Sequence, residues 1–262
     1  MSRRPAHRAT RGTPRTSAKS AAPARAAVPP VSRIAAIDGL RGAALCLMIV
    51  YHFLFDLNWF GFIRADFDHD PLWLGFRGVI VSSFMLLVGL SLVLARRAGV
   101  TRRHFWRRIA LIASCAILVS VASYVTFPQT FITFGILHCI AIASVLAWPA
   151  TRFPGMALLA GAAIVVIGNL VALPSFDTRW LQWVGLTTHK PATEDYVPLL
   201  PWLGVVMIGI GLGDWLSLRQ FRPLRPLSRL APGWLTWLGR HSLLVYMLHQ
   251  PILIGLLRVL RD

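Results

Sequence analysis

The chain has 262 residues, 56% of them hydrophobic and only 14% charged, where a soluble domain carries about 25% charged residues. That balance excludes an ordinary water-soluble globule and makes lipid the solvent for most of the chain. The net charge of +17 does not argue for nucleic acid. The arginines gather in the N-terminal tail and in a few connections between apolar runs, which is a topology pattern.

Residues 1–33 are rich in Arg, Ala, Pro and Ser and contain no acid. Such a segment cannot bury enough apolar surface to offset its chain entropy, so it reads as a disordered basic tail. An organelle transit peptide has a similar composition, but a cytoplasmic anchor for the next helix fits as well and is the reading adopted. The apolar segment that follows is too long for the core of a cleaved signal peptide.

Seven apolar segments come next, at about 37–60, 76–95, 109–126, 134–149, 155–173, 197–216 and 236–257. Most approach the ~20 residues that a helix needs to cross a bilayer, and the fourth is short. They predict an all-α polytopic membrane bundle of about seven transmembrane helices, forming one domain over 34–262. Arg96, Arg97, Arg102, Arg103, Arg107 and Arg108 fill the second connection, and Arg219, Arg222, Arg225, Arg229 and Arg240 fill or border the sixth. The positive-inside rule puts both in the cytoplasm. The first connection holds Asp66, Asp68 and Asp70, and the fifth holds Asp177, Glu194 and Asp195. Those are expected outside, with the N-terminus cytoplasmic and the C-terminus on the far side.

Trp59, Trp73, Trp148, Trp215 and Trp237 lie at segment ends, where an indole favours the headgroup level. Gly209, Gly211 and Gly213 in the sixth segment lack the strand–turn–helix setting of a nucleotide fingerprint and suggest close helix packing. Cys46, Cys115 and Cys139 lie within apolar segments without metal-ligand spacing, so neither a disulfide nor a metal is expected. No internal repeat of the kind seen in many transporters is visible.

An ionisable group near the centre of a membrane helix costs at least ~2.5 to 3.5 kcal/mol on insertion scales, so each asks for a partner or a function. The first segment holds Asp38, Arg41, His52 and Asp56; the fourth holds His138 and the seventh His249. Arg41 and His52 are about three helical turns apart, on one face, with a rise of ~16 Å. Asp38, three residues before Arg41, can cap the helix start and pair with the guanidinium. Asp56, four after His52, can hold the imidazole in one tautomer, a proton-handling arrangement. The predicted topology brings His52, His138 and His249 to similar depth. His69 in the acidic first connection, and Asp195 and Trp202 at the start of the sixth segment, belong to the same outer level. For His69 a solvated loop residue is the plainer alternative. For Asp195 and Trp202 it is a helix-start acid and an interface anchor.

The stretch Arg33-Ile34-Ala35-Ala36-Ile37-Asp38-Gly39-Leu40-Arg41-Gly42 through Tyr51-His52-Phe53 resembles the opening of the transmembrane acyltransferase superfamily. In particular it resembles bacterial proteins related to the heparan-alpha-glucosaminide N-acetyltransferase catalytic domain. Phe84-Met85-Leu86-Leu87-Val88-Gly89, Phe134-Gly135-Ile136-Leu137-His138, Pro198-Leu199-Leu200-Pro201-Trp202-Leu203-Gly204 and Gly239-Arg240-His241-Ser242-Leu243 extend the likeness over about 33–257. The resemblance implies a bacterial plasma-membrane enzyme that moves an acyl group, here acetyl, from cytosolic acetyl-coenzyme A to a sugar or glycan on the other side. Arg41, with Asp38, would meet the coenzyme phosphates, and His52 or His69 would act as base. The lysosomal sugar acetyltransferase of this family has its proposed active His in the first outer loop, whereas type 3 acyltransferases use the helix His. This chain carries both, and His52 is the expected base. A proton-coupled transporter of a small polar solute is the alternative that the intramembrane histidines leave open.

Overall fold

The computed structural model describes Met1 and residues 34–261. The basic tail at 1–33 therefore lies, Met1 apart, outside the described residues. Among these there are nine α-helices and no strand. They are α1 (Ala35–Trp59), α2 (Pro71–Arg97), α3 (Arg102–Thr126), α4 (Ile136–Ala147), α5 (Pro154–Leu170), α6 (Leu199–Leu218), α7 (Arg225–Leu230), α8 (Gly233–Arg240) and α9 (Ser242–Arg261).

Five of them, α1, α2, α3, α6 and α9, are long and apolar enough to cross a membrane. The chain is a helical membrane bundle. α5, at 17 residues, would extend ~25 Å, and α4, at 12 residues, only ~18 Å. α4 is instead a mostly interior helix. Its Cys139, Ala143 and Ala147 are fully buried in the main apolar cluster, against Val206 and Ile210 of α6. By contrast α3 and α9 leave Ile117, Val125, Ile252 and Val259 exposed, an apolar surface suited to lipid.

Helix starts follow local chemistry more than hydropathy. α2 begins at Pro71, before the apolar run, because Asp70 accepts the Leu72 N–H at 2.9 Å and proline suits the first helical position. α3 likewise begins at Arg102 behind the Thr101 cap. The expected seventh segment is in fact two helices: α8 stops at Arg240, and the His241 Nδ1 donates to the Trp237 carbonyl at 2.9 Å before α9 resumes. The break falls on the polar run Arg240-His241-Ser242, which interrupts the apolar segment.

Glycines set the packing. A side chain at Gly209 would strike the Leu86 carbonyl, and one at Gly89 the Val206 carbonyl, so α6 lies backbone to backbone on α2. On the other side, Gly204 and Gly161 face each other's carbonyls, at 2.6 and 2.7 Å from their would-be Cβ atoms, and seat α5. In lipid, where apolar burial does not drive helices together, such close approach supplies the attraction. Gly42 and Gly239 do the same for α1 and α8: a Cβ on either would meet the Leu235 or Asp38 carbonyl.

The tryptophans divide. Trp59, Trp215 and Trp237 are exposed, with the Arg219 guanidinium 4.5 Å over the Trp215 ring. Trp73 stacks on Phe67 of the first connection at 4.3 Å and Trp148 packs on Phe105 of α3 at 4.5 Å, so these two make packing contacts within the protein.

Candidate active site

The glycine-lined contact between α1 and α8 brings charges together at the start of α1. Asp38 does not cap this helix, whose N-cap is Ile34. Instead it is buried, and its two oxygens divide between arginines: Arg41 Nη1 donates to Oδ1 at 3.1 Å and Arg240 Nε to Oδ2 at 3.4 Å. Arg41 Nη2 also donates to Ser91 Oγ on α2 at 3.1 Å, and Ser91 passes its own proton to the Leu87 carbonyl at 2.6 Å. Two guanidinium groups around one carboxylate leave this end positive.

Eleven residues along α1, half-buried His52 meets buried His249 of α9. The His52 and His249 rings lie 5.0 Å apart, centroid to centroid. Arg41 also approaches the Gly239 carbonyl, at 3.5 Å, so the contacts climb both chains in the same direction and α9 runs parallel to α1. His249 Nδ1 lies 2.6 Å from the Tyr246 carbonyl. A carbonyl only accepts, so Nδ1 carries the proton and Nε2 is the bare, basic nitrogen in the neutral ring. That nitrogen is buried with no hydrogen-bond partner among the described residues.

Asp56 corrects the expectation of an i, i+4 pair with His52. Its Oδ1 accepts from Gln250 Nε2 of α9 at 2.8 Å, and no hydrogen bond to His52 forms among the described residues. The reason is packing: Gln250 points from α9 into the turn of α1 that holds Asp56, and a side-chain amide there supplies a donor that a ring one turn below does not reach.

The structure does not add His138 to this pair. It is the third residue of α4, where its Nδ1 accepts the Gly135 N–H at 3.3 Å. Its Nε2 lies 3.3 Å from Ser120 Oγ, which donates onward to the Ile132 carbonyl at 2.6 Å. Nδ1 thus serves the helix start and Nε2 ties it to α3. Asp195 is a helix-start acid, but for α4 rather than for the sixth segment: its Oδ2 accepts the Ile136 N–H at 3.0 Å, where the helix dipole favours negative charge. Burial pushes its carboxyl up, against the Ile136 bond and the charges of Arg77 and Lys190, which lower it. Trp202 packs against the main apolar cluster in the first turns of α6. His69 lies apart on an exposed turn, its Nδ1 within 3.1 Å of both Asp66 oxygens. Hydrogen bonds from the turn hold Asp66 below the usual carboxylate range despite its exposure.

Four contributors carry little signal in the sequence. Gln250 and Ser91 are uncharged and escape a search for ionisable residues. Arg77 sits one residue inside an apolar run, where it reads as a border charge. Tyr246 looks like any apolar-face aromatic, yet it packs among three of the apolar clusters and holds His249. Among the described residues no group of three or more His, Cys, Asp or Glu gathers as metal ligands.

Fold and site together define a multi-pass membrane protein with a buried polar site between its first and last long helices. Residues 33–251 match the sequence profile described as heparan-alpha-glucosaminide N-acetyltransferase, catalytic. The chain belongs to that family of membrane acetyltransferases. Comparison with curated proteins and with solved structures returns no match.

Proposed function

We propose that the chain transfers an acetyl group from acetyl-coenzyme A, bound at the Arg41 end, to a hydroxyl or amine of a sugar or glycan at the His52 end. The observation that carries this reading is the His52–His249 pair between α1 and α9, with His52 on the helix that bears Arg41 and ~16 Å further along it. The basic connections belong on the cytosolic face, so the donor enters from the cytosol of a bacterial cell and the acceptor waits outside the plasma membrane. Arg41, Arg240 and Ser91 meet the coenzyme phosphates, for which planar guanidinium forks are well shaped. Asp38 orients both forks.

At the other end His52 takes the proton from the acceptor hydroxyl or amine as that atom attacks the thioester carbonyl. The new bond to the acetyl carbon forms, the carbon–sulfur bond breaks, and the thiolate leaves with the proton that the histidine received. His249, fixed in one tautomer, keeps a second basic nitrogen beside His52. Asp56 and Gln250 support the pair. Asp195 and His138 hold the start of α4, and with Trp202 they shape the acceptor side without touching the reacting atoms. His69 remains the second candidate for the base.

Purified protein in lipid nanodiscs, given radiolabelled acetyl-coenzyme A and extracts of envelope glycans, tests the reading. A labelled glycan is expected. Absence of both coenzyme binding and labelled product overturns it.

A further inference from the structure

Gln250 joins the two helices of the site. Its Nε2 donates to Asp56 on α1 at 2.8 Å, while the preceding residue, His249, meets His52. His52 and Asp56 are about one turn apart, so consecutive residues of α9 grip successive turns of α1. The backbone needs that grip. Pro251 lies inside α9, has no N–H for the Met247 carbonyl and crowds it, so the helical ladder is weakest in the turn that carries His249.

The grip is also built into a buried polar site. Asp56 and His249 are only 4% and 9% exposed, and Asp56 Oδ2, Gln250 Oε1 and His249 Nε2 are buried acceptors with no partner among the described residues. Acceptors so placed are costly unless donors reach them. The O–H or N–H groups of an acceptor substrate are such donors.

We infer that Gln250 is a positioning residue for acetyl transfer: it fixes Asp56 and the register of α9 on α1, and through them the separation of His52 and His249. This rests on the acetyl-transfer reading above for its consequence, but its geometry is separately testable. Gln250→Leu removes both polar atoms at similar volume, and Gln250→Met is the second variant should the first not fold. In the full-length protein, kcat is expected to fall roughly 100-fold, as a misplacement of about 1 Å produces. KM for acetyl-coenzyme A should stay within about twofold, because the Arg41 end is untouched.

Spectra of ¹⁵N-labelled histidine rings, assigned with His52→Asn and His249→Asn, read the pair without turnover. Both resonances are expected to move in the Gln250 variants. Unmoved rings overturn the inference, as do moved rings with unchanged kcat or a change confined to KM for the donor. If the rings move but the wild-type protein transfers no acetyl group, the acetyl-transfer reading fails and the positioning of the pair by Gln250 stands.

Discussion

His249 turns its protonated Nδ1 onto the Tyr246 carbonyl at 2.6 Å and sets its ring 5.0 Å from that of His52. An anchored tautomer beside a second imidazole is a proton-handling arrangement whichever ring acts first. His52→Ala should lower kcat by about 10² to 10⁴-fold, the usual share of a general base. His249→Ala should do nearly as much damage, and coenzyme binding should survive both changes. His69→Ala should leave turnover close to normal, since its ring is held in an exposed turn by Asp66. Steady-state kinetics on the three variants decides the matter; a dead His69 variant with an active His52 variant moves the base to the first loop.

Asp38 lies between two guanidinium groups, and its removal takes away the carboxylate that they share. Asp38→Asn is expected to destabilise the protein by about 2 kcal/mol, the scale of a hydrogen bond to a charged group. A lowered midpoint in thermal unfolding would register it. Arg41→Lys keeps the charge but gives up the fork that reaches Asp38 and Ser91 together. Its donor KM should rise about tenfold, or 1.4 kcal/mol of binding, with a smaller effect on kcat.

Membrane spans were readable because lipid demands long apolar runs and the Asp38, Arg41 and His52 set was readable because charge is costly there. What chain position could not supply was contact between distant segments. The partner of Asp56 is uncharged and lies on the last helix, so local spacing pointed to His52 instead. Depth alone groups His138 with the other histidines, and depth says nothing of Ser120 and Gly135, which occupy both its nitrogens. The break at His241 does fall on a polar run, Arg240-His241-Ser242, but the seating of α8 on α1 through Gly42 and Gly239 is a contact between distant segments.

That same contact logic separates glycines that matter from those that do not. A Cβ at Gly204 would sit 2.6 Å from the Gly161 carbonyl oxygen, whereas one at Gly75 or Gly155 would meet nothing within 4 Å. Gly204→Ala must push α5 and α6 apart and is expected to cost about 1 to 3 kcal/mol, as overpacking does. Gly75→Ala and Gly155→Ala should be neutral, or stabilising by up to about 1 kcal/mol through helix propensity. Unfolding of the three variants in one detergent makes the comparison, and equal losses in all would remove the packing argument.

Asp195 allows a test by pH. Burial raises its carboxyl in the folded protein, so between the unfolded value, about 3.9, and the raised folded value the unfolded state binds fewer protons. Stability from this group therefore falls as pH rises through that window and levels off above it. Asn at this position still accepts the Ile136 N–H but cannot ionise. Asp195→Asn should match the wild type at low pH and become the more stable protein as pH passes through the window. Asp195→Ala loses the cap itself and should be less stable by about 1 kcal/mol at low pH, where both native forms are neutral. Thermal midpoints of the three proteins measured across that range give the answer: if the gap between wild type and the Asn variant does not change with pH, the Asp195 carboxyl is not held above its ordinary value.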